Sequence, residues 1–85
     1  MSRDGFSGFR LKESYRKQRD FCYDSFEWYQ SDLSKDDLYI VAQAYRNELD
    51  GVLWFLARLG VLSPDEHKEE VERLKLLFPT RLSEI

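Results

Sequence analysis

Apolar residues recur along this chain at helical spacing. Leu11, Tyr15, Gln18, Cys22, Phe26, Tyr29 and Leu33 step by 4, 3, 4, 4, 3 and 4. At about 100° per residue these positions share one face, and strand alternation does not fit them. The spacing predicts a first helix over Phe9–Gln30. Leu38, Val41, Tyr45, Leu49, Val52, Leu56 and Leu59 step by 3, 4, 4, 3, 4 and 3, which predicts a second over Lys35–Leu59. Val71, Leu74, Leu77 and Phe78 give a third, shorter helix over 63–78 one apolar edge. Residues 1–8 read as a flexible arm around Phe6, and 79–85 as a loose tail that docks through Leu82 and Ile85.

The junctions carry their own signals. Ser34 is a suitable N-cap with Asp37 at N3, and Leu33 and Leu38 are spaced for a hydrophobic staple. A connection this short makes the first two helices antiparallel neighbours. Gly60 is placed to end the second helix in the left-handed conformation, bringing Val61 against Leu56 in a Schellman motif. Ser63, Pro64 and Glu66 form a capping box with proline at N1, and Pro79 stops the third helix. The fold class is all-α: an antiparallel hairpin of two long helices plus a shorter third, a small helical bundle forming one domain over 1–85.

The apolar surface exceeds what one core needs. Phe21 and Trp28 lie a heptad apart, well to one side of the stripe of helix 1. Aromatics at such spacing are usually core, so helix 3 is expected to cover them. Ile40, Ala44, Gly51 and Phe55 form a flank of helix 2, with Ala44 and Gly51 a small-residue groove. Trp54 faces the side carrying Gln43, Asn47 and Asp50. A helix apolar on most sides is buried on most sides, so helix 2 calls for a further partner. The Phe6/Phe9 arm is one candidate, and a second copy of the chain is another.

Composition narrows the setting. Cys22 is the only cysteine, so no intrachain disulfide supports a chain of 85 residues, and the lone thiol fits a reducing compartment. No stretch approaches the roughly 20 apolar residues of a membrane span, and the N-terminus lacks the apolar run of a signal peptide. A cytoplasmic protein without membrane contact is expected. The net charge is −3 but unevenly spread: residues 1–19 hold six basic and two acidic groups, residues 20–50 two basic and eight acidic. That distribution suits either an ordinary solvated surface or a polar molecule whose basic end meets an acidic partner.

No catalytic motif stands out, and no cofactor or metal site is expected. His67 falls in the first turn of an acidic helix, where a surface position is expected, and Cys22 lies on a core face. Residues 57–74 resemble a helix-turn-helix in outline, but the second helix would bring Asp65, Glu66, Glu69 and Glu70 to the phosphates. Arg10, Lys12, Arg16, Lys17 and Arg19 are the one concentrated basic group and the basis of an alternative, nucleic-acid binding, although Glu13, Asp20 and Asp24 interrupt it. The leading expectation is a non-enzymatic protein-interaction module (a regulator, inhibitor or scaffold) that forms a homodimer. Its contact residues would be Phe21, Trp28, Ile40, Ala44, Gly51, Trp54 and Phe55.

Overall fold

The computed structural model describes residues 8–85. It contains α1 (Gly8–Tyr29), α2 (Lys35–Arg58) and α3 (Pro64–Leu77), closed by a short 3-10 turn, Leu82–Glu84. The chain is an all-α bundle in which α1 and α2 form the antiparallel hairpin and α3 packs against it. The helix ends depart by a residue or so from the periodicity. Gly8 already belongs to α1, Leu59 is the C-cap of α2, and Phe78 leaves α3 as an extended C-cap. Of the arm, Met1–Ser7 lie outside the described residues. Phe9, offered as part of a covering arm, instead sits exposed in the first turn of α1.

The junction chemistry is local and matches its signals. Ser34 accepts a hydrogen bond from the Asp37 amide at 3.2 Å. Gly60 has φ 77°, and the amides of Val61 and Gly60 donate to Leu56 and Ala57, the two bonds of a Schellman ending. At the start of α3 the capping box is reciprocal: Ser63 Oγ accepts from the Glu66 amide, and Glu66 Oε1 accepts from the Ser63 amide.

The core comprises Tyr15, Cys22 and Phe26 from α1, Leu38, Ala42, Leu49, Leu53 and Leu56 from α2, and Leu62, Leu74 and Phe78. Its centre on α2 is rotated from the expected stripe. Leu53, which is not among the stripe positions, is fully buried, whereas Val41, Tyr45 and Val52 are only half-buried. Docking of α3 causes the shift, because two neighbouring helices draw the buried arc of α2 toward the angle between them. Phe78 is the aromatic hub, with Tyr23, Phe26 and Tyr45 rings at centroid distances of 6.1, 5.8 and 5.9 Å.

The segment after Pro79 is held rather than loose. Arg46 Nη1 donates to the Pro79 carbonyl at 2.9 Å, and Ile85 packs on the core while Leu82 stays exposed. Glu84 accepts from the Thr80 and Arg81 amides, and these bonds, Thr80's first, hold its carboxyl below the usual range.

Candidate functional site

The side of the hairpin on which α3 sits decides which apolar residues are covered. On α1, α3 is met by Lys12 and Arg19. Lys12 Nζ donates to Glu66 Oε2 at 2.9 Å, and Arg19 Nη1 to Glu70 Oε1 at 3.1 Å. Phe21 lies two residues beyond Arg19, about 160° around the helix. Helix 3 therefore does not cover the second aromatic edge of helix 1. Phe21 is 69% exposed and Trp28 is 68% exposed. The expectation of cover failed because long-range ion pairs and the Phe78 hub, not the aromatic edge, select the docking side.

The flank of α2 falls on the same side of the hairpin. In an antiparallel pair the flanks turned from α3 share one plane. With Gln18 Nε2 donating to Glu48 Oε2 at 2.9 Å, residues of α1 and α2 whose numbers sum to about 65 lie abreast. Phe21 is thus beside Ala44, and Trp28 lies toward the same end as Ile40. Ile40 and Phe55 are 61% and 56% exposed, and Ala44 and Gly51 are also exposed. A Cβ built on Gly51 would meet nothing within 4 Å, so no part of the described chain fills the small-residue groove. A shallow open cavity of about 230 Å³ lies beside Phe21, Asp24, Ser25, Trp28 and Tyr29. Six of the seven expected contact residues therefore form one face across both long helices.

Trp54 does not belong to that face. Its indole is half-exposed on the α3 side, 4.7 Å from the His67 ring between centroids. His67 is accordingly not a plain surface residue. It is half-buried, and its Nε2 is enclosed without a hydrogen-bond partner among the described residues. The sequence placed each residue on its helix correctly but could not pair them, because the contact depends on the docking angle of α3.

The five basic positions of α1 divide. Lys12 and Arg19 are tied to α3, Arg19 also bonding Asp20, and Arg16 is paired with Glu13 at 2.7 Å. Arg10 and Lys17 are exposed on other parts of the helix. Carboxylates of α3 thus stand beside the cations that would meet a nucleic acid. Glu66 is the most strongly perturbed of them. The Lys12 hydrogen bond first, and the Ser63 amide second, bring its carboxyl down to about 2.

Tyr15 was missed as a polar feature. It is 4% exposed, its hydroxyl has no hydrogen-bond partner among the described residues, and burial, with Glu70 adding, raises its pKa. Cys22 is buried, and burial, with Glu48 adding, raises its thiol as well. That environment suits a packing residue better than a thiolate nucleophile. Among the described residues no group of three His, Cys, Asp or Glu side chains is placed to hold a metal ion, and no helix is long and apolar enough to cross a membrane. No family model, curated protein or solved structure matches this chain.

Proposed function

We propose that the chain is a non-enzymatic protein-interaction module, a regulator, inhibitor or scaffold, that works in the cytoplasm through the face turned from α3. One observation carries this reading. Phe21, Trp28, Ile40 and Phe55, each more than half exposed, share a side of the hairpin with an unfilled groove at Ala44 and Gly51. Four large apolar side chains gathered on one side of a small domain are a marker of association rather than of scattered surface residues. Aromatic anchors are also what interfaces bury at their centres.

The test is photo-crosslinking of the full chain in its native cell, with benzoylphenylalanine replacing Trp28 or Phe21. Leu76, 87% exposed on α3, is the control position. The expected result is a discrete adduct from either face position, absent from the Leu76 control and lost when Gly51→Leu fills the groove. No adduct from the face, or the same adduct from Leu76, sinks the reading.

A further inference from the structure

Resting on the interaction-module reading, we propose that the occupant of the face is a basic, amphipathic segment of a partner protein, one of whose arginine or lysine side chains enters the notch beside Trp28. Charge selects the sign of the occupant. From Asp20 to Tyr45, the half of the hairpin nearest the turn, the chain holds six carboxylates and one basic residue, Lys35. Lys35 lines a different cavity, with Phe26, Pro79 and Ile85, and so stands on the tail side. Asp24 borders the shallow cavity that Phe21 and Trp28 share. Asp37 lies a heptad before Ala44 on α2 and abreast of Trp28 in the register of the hairpin. Both aspartates are exposed, and neither has an ion-pair partner among the described residues.

Shape selects the side chain. The cavity, about 230 Å³, is bounded by two exposed aromatic residues a heptad apart, with Asp24 and Ser25 on the turns between them. The Tyr29 ring braces the indole at 69°, centroids 5.3 Å apart. A basic side chain matches such a notch. Its methylene stem covers apolar surface, its cation is drawn to an aromatic ring, and its N–H groups reach a carboxylate.

The alternatives match less well. An acidic segment would meet Asp24 and Asp37 with like charge, and an uncharged apolar one would cover them unpaired. The other half of the face is mixed in sign, with Lys17, Glu48 and Arg58. The basic portion of the occupant therefore belongs at the turn end, and its apolar portion over Ala44, Gly51 and Phe55.

Isothermal titration calorimetry of the full chain tests this with two synthetic helical peptides of equal length. Both carry leucines along one face, flanked in one by arginine and in the other by glutamate. The arginine peptide is expected to bind and the glutamate peptide not to. Asp24→Asn with Asp37→Asn should weaken the arginine peptide about fivefold or more and flatten its salt dependence. Trp28→Leu keeps apolar surface but removes the ring, and should weaken it about threefold or more. Glu69→Gln with Glu72→Gln removes as many charges from α3 and should change the affinity by less than about twofold. Helical circular dichroism checks that each variant folds.

The proposal is overturned if the two peptides bind alike, if neither binds, or if the α3 variant loses as much affinity as the face variant. Crosslinking from Phe21 separates it from the broader reading. An adduct undiminished by Asp24→Asn with Asp37→Asn, or one between two copies of this chain, upholds the interaction module and discards the basic segment. No adduct discards both.

Discussion

At the scale of single residues, two glycines of α2 and its ending call for opposite outcomes. Gly60 holds φ 77°, a conformation that costs a side-chain-bearing residue about 1–2 kcal/mol. Gly60→Ala should therefore lower stability by about that much in urea denaturation. Gly51 lies inside a helix with open space where its Cβ would be, so Gly51→Ala should raise stability by about 1 kcal/mol at concentrations where the chain is monomeric. Tyr15 gives a third contrast. Its enclosed hydroxyl has no partner among the described residues, so Tyr15→Phe removes a desolvation cost and should leave thermal stability unchanged or higher. A loss of more than about 1 kcal/mol would show that the hydroxyl has a partner in solution. The cysteine was legible from sequence because its helical phase alone decides its burial. The orphan hydroxyl was not, because satisfaction of a buried polar atom depends on what several elements place around it.

At the scale of elements, the helices and their junctions were legible because caps, staples and apolar periods act over a few residues. Ser34, Gly60 and Ser63 all do in space what their local sequences indicate. The side chosen by α3 was not legible, since Lys12 and Glu66, or Arg19 and Glu70, lie more than fifty positions apart. Docking of the tail through Ile85 was legible, but its clasp was not, for the same reason: Arg46 reaches the Pro79 carbonyl only after the bundle has formed. Docking of α3 should depend on pH. The Glu66 carboxyl is depressed to about 2 in the folded chain, so its stabilising effect is fully present above its unfolded value of about 4.3. It is lost as pH falls from there toward 2. Lys12→Ala removes the largest cause of the depression, and an NMR titration of the Glu66 carboxyl carbon should then show its midpoint moving upward. An unmoved midpoint would place the control elsewhere. Phe78 anchors the other end of α3; Phe78→Ala should cost about 3–5 kcal/mol by calorimetry or denaturant titration.

At the scale of the whole molecule, three helices make an asymmetric object of 50 × 21 × 14 Å, with one side of the hairpin closed by α3 and the other carrying the exposed apolar face. The excess of apolar surface on helix 2 was legible, since Ile40, Ala44, Gly51 and Phe55 share a flank by spacing alone. Its continuity with Phe21 and Trp28 was not, because only the antiparallel register and the position of α3 put both flanks on one plane. That arrangement also divides the two tryptophans between the two sides. Trp54 touches the imidazole of α3, whereas Trp28 stands on the open face with the Tyr29 ring 5.3 Å away. The molecule consequently carries two optical channels. With Trp28→Phe, the emission that remains reports whether α3 is seated; with Trp54→Phe, it reports whether anything has landed on the opposite side. Unfolding and association, which a helical circular-dichroism signal merges, can therefore be followed separately, by colour and without an added dye.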